Sequence, residues 1–173
     1  FYANGVSGAA VDPTGVLDST LGIQAALNTG RSVFLPKGNY KISATLKTTT
    51  NGQRIYGDGR PGMTVLTWSG PASTAMWATS SATLQVGVSI TDMEIISLLV
   101  DGFRAVDYTN YCYSSFARLY VQTYGNNCYG TYATGRSGGD GPYYNLFNQI
   151  DFRSNNILGV TTGSTGHYGN RLL

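Results

Sequence analysis

Near its start the chain repeats apolar residues at the spacing of a helix, and beyond that point it alternates. Leu17, Leu21, Ile23 or Gln24, Ala25 and Leu27 recur at three- and four-residue steps, which predicts a helix over Leu17–Asn28. Asp18 or Ser19 can cap its start, and Gly30 can close it. The period then drops to two. Ser32–Pro36, Asn39–Ser43, Gln53–Gly57 and Thr64–Trp68 are β-branched or aromatic runs broken by Gly, Pro or Asn, the signature of short strands.

A longer periodicity lies over the alternation. Ile90-Thr-Asp-Met-Glu-Ile95, Phe116-Ala-Arg-Leu-Tyr-Val121 and Phe147-Asn-Gln-Ile-Asp-Phe152 share one pattern, with apolar columns Ile90/Phe116/Phe147, Met93/Leu119/Ile150 and Ile95/Val121/Phe152. A weaker column follows at Ala105-Val106, Gly130-Thr131 and Gly159-Val160. A chain that returns to the same place once per repeat stacks each strand about 4.8 Å above the last, so the pattern predicts a parallel solenoid. The two mostly polar residues inside each repeat are where a corner fits, and Asp92 belongs to that corner. The Gly-rich stretch Arg136–Pro142 reads as an excursion at another corner, of the kind that crowds a binding face. An open solenoid end needs covering, which suits the helix. The predicted architecture is therefore all-β, a single-stranded parallel β-helix (solenoid). Residues 1–30 form a lead-in with an N-terminal capping α-helix, and residues 31–173 form the coils. Tyr168–Leu173 reads as the opening of another repeat, so the expectation is a solenoid that continues, and no export-signal pattern is read in the residues from Phe1 onward.

Composition narrows the function. Of 173 residues 42% are hydrophobic and only 12% charged, with 11 basic against 9 acidic side chains, so Ser, Thr, Asn, Gly and Tyr must clothe the surface. No basic cluster exists to follow a phosphate backbone, and no apolar run reaches membrane length, so neither nucleic acid nor membrane insertion is expected. Cys112 and Cys128 with His167 fit no standard zinc spacing. The cysteines read as packed free thiols, with a disulfide as the alternative. Neither a metal nor a cofactor is expected. Gly57-Asp-Gly-Arg-Pro-Gly62 spells G-x-G-x-x-G, but a strand follows where a dinucleotide site needs a helix, so the glycines read as a turn.

Asp12-Pro-Thr-Gly-Val-Leu-Asp-Ser-Thr, Ile23-Gln-Ala-Ala-Leu-Asn, Val33-Phe-Leu-Pro-Lys-Gly-Asn-Tyr-Lys-Ile and Arg54-Ile-Tyr-Gly-Asp-Gly together resemble the opening of pectate-lyase-like right-handed β-helices. Within that group the sequence is most similar to bacteriophage tailspike depolymerases, on its Tyr/Gly/Ser/Thr-rich, charge-poor later coils. The resemblance implies a right-handed coil, a homotrimer, a place on the virion tail, and action outside the cell on a bacterial surface polysaccharide, either capsule or O-antigen. A non-catalytic glycan-binding or structural appendage is the alternative. A secreted pectinase-type lyase is a further one, although it would want clustered aspartates for Ca²⁺.

Cleaving a polysaccharide takes two carboxylates, one to protonate the leaving oxygen and one to activate water or attack. Glu94, Tyr120 and Asp151 share one column between inward residues, so they should face outward from one sheet. Two rungs separate the acids by about 9.6 Å, at the upper edge of the inverting range of about 6.5–9.5 Å. Glu94 and Asp151 are thus the candidate catalytic pair, with Asp107 and Asp140 as looser candidates. Tyrosines, 13 in all, crowd the second half. Their flat rings suit the C–H faces of sugars, and Tyr120, Tyr132, Tyr143 and Tyr144 are the candidate carbohydrate-binding residues.

Overall fold

The computed structural model describes residues 10–59, 61–80, 84–134, 142–154, 161–162 and 171–172. The chain runs in circuits, each laid against the one before. The first holds β1 (Thr14–Asp18) and α1 (Thr20–Asn28), and the second β2 (Val33–Leu35), β3 (Gly38–Ile42) and β4 (Leu46–Thr48). The third holds β5 (Arg54–Gly57), β6 (Thr64–Trp68), β7 (Ala75–Thr79) and β8 (Gln85–Val86). The fourth begins with the nine-residue β9 (Ser89–Ser97), followed by β10 (Arg104–Asp107) and β11 (Tyr111–Cys112). Then come β12 (Ser115–Thr123), β13 (Tyr129–Ala133), β14 (Leu146–Ser154), β15 (Thr161–Thr162) and β16 (Arg171–Leu172). All of the strand pairs are parallel. One sheet follows the order β1-β3-β6-β9-β12-β14-β16, with β2 and β5 joined to it through β9. A second follows β15-β13-β10-β7-β4, and β8 pairs β11 in a third.

The repeat columns are real neighbours. Phe116 pairs with Ile90 on one side and Phe147 on the other, Leu119 with Met93 and Ile150, and Val121 with Ile95 and Phe152. Ile90, Met93, Ile95, Phe116, Leu119 and Val121 are fully buried in one core, with Ile150 and Phe152 packed against it. The Phe116 and Phe147 rings stack at 5.2 Å and 19°. Val106 pairs with Thr131, as the weaker column requires, while Gly159 and Val160 lie outside the described residues.

Each long strand changes direction at one residue in the left-handed region: Asp92 (φ 62°), Arg118 (φ 50°) and Gln149 (φ 53°). That single reversal lets two consecutive side chains avoid the core without upsetting the inward alternation on either side. One circuit earlier the same place holds a loop. Tyr56 pairs with Thr91 and Val65 with Glu94, so residues 57–64 stand opposite Asp92 and Met93 alone. The G-x-G-x-x-G letters belong to this loop. Gly59 (φ 119°) and Gly62 (φ 77°) supply positive φ, and a Cβ on Gly57 would sit 2.4 Å from the Asp92 carbonyl oxygen.

The helix is shorter than its apolar spacing predicts. Residues 14–18, Leu17 among them, form β1, and Leu21 is 80% exposed; the buried face is Thr20, Gly22, Ile23, Ala26 and Leu27. The Asp12 carboxylate accounts for the difference. It accepts the N–H groups of Thr14, Val16 and Leu17 at 2.7–3.0 Å, and so holds the segment extended. Those bonds lower the Asp12 pKa to about 2, the Thr14 hydroxyl contributing most. Ser19 makes no side-chain cap; Asp18 Oδ1 instead accepts the Thr20 N–H at 2.9 Å. Gly30 (φ 71°) ends the helix, its N–H bonding the Leu27 carbonyl. Cys112 and Cys128 are free, buried thiols, and burial raises the pKa of Cys112.

Candidate functional site

β9, β12 and β14 bring Glu94, Tyr120 and Asp151 into one register column, with Tyr120 directly between the two acids. Alternation turns all three away from the core, but they are not equally open. Glu94 is only 7% exposed, because the loop at 57–64 lies over it and the Gly62 N–H donates to Glu94 Oε2 at 2.7 Å. Tyr120 is 8% exposed. Its hydroxyl accepts a bond from Gln122 Nε2 at 2.7 Å, and the Arg153 guanidinium stands 5.0 Å from its ring centre. Arg153 Nη2 is 3.6 Å from Asp151 Oδ2, and both of these side chains reach solvent. Glu94 and Tyr120 are thus covered although they lie off the core, and Asp151 is the one of the three that reaches solvent. The local chemistry is a phenol ringed by two carboxylates, an amide and a cation, with Asp151 as its accessible acid.

The other tyrosines lie elsewhere. Tyr132 is on the second sheet, where the Arg104 guanidinium covers its ring at 3.7 Å and Tyr129 packs edge-on at 5.3 Å. Arg104 Nη1 is 3.5 Å from Asp107 Oδ2, while Asp107 Oδ1 accepts the Thr109 N–H and hydroxyl, so Asp107 also organises a turn. Tyr143 and Tyr144 precede β14. Tyr144 stacks on Tyr113 of the preceding circuit at 5.2 Å, and Tyr143 meets both edge-on. Tyr113 (φ 49°) and Tyr144 (φ 56°) are exposed and continue a ladder begun by Gly52 and Gly87, both at positive φ. Bulky residues in that region cost about 1–3 kcal/mol each. The four candidate tyrosines thus occupy three separate places. Asp92 lies in the corner, where Arg118 grips its carboxylate with two N–H groups. Asp140 and His167 lie outside the described residues. Among the described residues, no three His, Cys, Asp or Glu side chains gather as a metal would require.

No protein-family model matches the sequence, and no curated protein matches it by sequence. Solved structures do share its shape. ORF18 of Geobacillus virus E2 is similar over 99% of this chain at 20% identity and a TM-score of 0.67. The A-module of the mannuronan C-5 epimerase AlgE4 of Azotobacter vinelandii is similar over 98% at 16% identity and a TM-score of 0.65. The pre-mature gene product 12 of bacteriophage phi29 is similar over 93% at 10% identity and a TM-score of 0.51. The chain spans 40%, 57% and 33% of those three chains. At such identities the likeness establishes a fold of stacked parallel coils.

The column of Glu94, Tyr120 and Asp151 was visible because it rides on the apolar repeat. Its cover was not, since the loop at 57–64 comes from the previous circuit. Nor was the cluster of Arg104, Asp107, Tyr129 and Tyr132. Its residues come from strands one circuit apart, brought together by the pairings of Arg104 with Tyr129 and of Asp107 with Tyr132.

Proposed function

We propose that the chain is part of a phage tailspike-type protein, coiled right-handedly behind α1 as its N-terminal cap, that binds and degrades a bacterial surface polysaccharide. One observation carries the reading: Glu94, Tyr120 and Asp151 stand in register on the outer side of one sheet, with Gln122 and Arg153 beside them. Acids two rungs apart correspond to about 9.6 Å, at the upper edge of the inverting separation, and the amide, cation and carboxylate around Tyr120 can bond sugar hydroxyls. The fold likeness to two phage proteins and to a mannuronan epimerase module supports the same direction. In this reading the protein acts as a homotrimer on the virion tail, with capsule or O-antigen as its partner.

The test is incubation of the full-length protein with purified capsule or O-antigen, read as new reducing ends or as unsaturated-uronate absorbance. Glu94→Gln and Asp151→Asn should each abolish cleavage while leaving the circular dichroism spectrum unchanged. Full activity in both variants removes the pair from the mechanism. A second reading, binding without cleavage, is favoured by the low exposure of Glu94 and its bond to the Gly62 N–H. Retention of the polysaccharide with no new chain ends selects it.

A further inference from the structure

Before the corner at Asp92, the outer side of the same sheet holds a cavity of about 330 Å³, lined by Ser32, Arg54, Tyr56, Ser89, Thr91 and Asp92 and floored by Ile55. Three successive circuits build it. Ser32 comes from just before β2, Arg54 and Tyr56 from β5, and Ser89, Thr91 and Asp92 from β9, where Arg54 pairs with Ser89 and Tyr56 with Thr91. Its size lies at the low end of small-ligand sites, which run to about 300–1,000 Å³.

The cavity's polar groups are unspent. Among the described residues, the side chains of Ser32, Arg54, Tyr56, Ser89 and Thr91 make no hydrogen bond or ion pair, although each can donate. Asp92 differs, because Arg118 already meets its carboxylate with two N–H groups. The net local charge is therefore positive, set by Arg54. Tyr56 leans on Phe34 at 5.2 Å, which steadies its ring while the side chain stays partly open to solvent. A positioned aromatic face, a free guanidinium and three hydroxyls within one cavity match a flat, hydroxyl-bearing ring that carries a carboxylate.

We infer that this cavity is a binding subsite for an acidic sugar unit, a hexuronate, with Arg54 pairing its carboxylate and Tyr56 stacking on its ring. The inference rests on the glycan-binding reading above. It adds a recognition site on the other side of the corner from Glu94 and Asp151, and makes the preferred polysaccharide an anionic one. The subsite is a binding element, and no bond is made or broken there.

The experiment is calorimetric titration of the protein with short oligomers of galacturonate, mannuronate and glucuronate, with neutral malto-oligosaccharide and sodium acetate as comparisons. At least one uronate oligomer should bind, with affinity falling as salt rises, while acetate alone does not. Arg54→Gln should weaken that binding about tenfold or more, as expected for loss of a charge-assisted bond, and Tyr56→Ala should weaken it independently. Both positions are exposed, so the melting temperature should hold. Failure of all three uronates to bind, or equal affinity in Arg54→Gln, overturns the subsite. If bacterial polysaccharide is still retained by Arg54→Gln at wild-type strength, the subsite falls and the parent reading stands. If no polysaccharide is retained by the wild type, the parent reading falls as well.

Discussion

Leu119→Ala is the most direct test of the stacked core. Leu119 is fully buried, with Met93 beneath it and Ile150 above in register, so neighbours on both sides are held by their own strands and cannot close the space left behind. Leu→Ala changes in cores cost about 2.7–5 kcal/mol, the larger values going with cavities that do not collapse. A loss of about 3–4 kcal/mol is expected here. At about 2–4 °C per kcal/mol for a chain of this size, the melting temperature should fall by about 6–16 °C. Leu99→Ala is the control: that leucine is 82% exposed, and its truncation should stay within about 0.5 kcal/mol. Urea titration followed by the fluorescence of the buried Trp68 and Trp77, together with far-ultraviolet circular dichroism, reads both the size and the cooperativity of the change. A Met93→Ala, Leu119→Ala cycle then tests adjacency, with a coupling of about 0.5 kcal/mol or more expected for touching residues. A loss below about 1 kcal/mol in Leu119→Ala, or strict additivity in the cycle, would refute vertical stacking of these side chains.

Three further outcomes are expected. Gly57→Ala should destabilise by about 1–3 kcal/mol in urea melts, because its Cβ would meet the Asp92 carbonyl and the Thr64 side chain, whereas Gly52 faces open space and owes its glycine only to positive φ. Asp12 has a folded pKa of about 2 against an ordinary 3.8, so its stabilisation is complete above pH 3.8 and lost as pH falls through 2. The wild-type unfolding midpoint should therefore fall more steeply than that of Asp12→Ala across that window, and parallel curves would dismiss the turn's role. Cys112 and Cys128 should react with a thiol reagent only on unfolding and should run identically on reducing and non-reducing gels, since both are buried and unpaired.

How far the sequence could be read follows from which interactions repeat. The columns through Ile90, Met93 and Ile95 were legible because each circuit must bury its own inner residues, and that demand recurs at steps of 26 and 31 residues. The corner was legible too, since two residues, mostly polar, between inward apolar ones break the alternation of a straight strand. Leu17 and Leu21 misled because their spacing is helical, while the conformation at residues 14–18 is set by a single turn around Asp12, which has no period. The cavity beside Arg54 was invisible for a related reason. Its lining is drawn from three circuits whose spacing is uneven, 22 residues from Ser32 to Arg54 and then 35 to Ser89, and of its polar residues Asp92 was legible only as part of the corner.

The corner at Asp92, Arg118 and Gln149 has a consequence for engineering. One circuit places eight residues, 57–64, opposite the two residues that suffice in the next, and the flanking strands pair without interruption. The scaffold therefore tolerates grafts at this seam, and the equivalent positions beside Arg118 and Gln149 offer sockets for foreign peptides. A loop inserted there would project from the side of the rod while the core beneath kept its contacts, so new specificities could be added circuit by circuit.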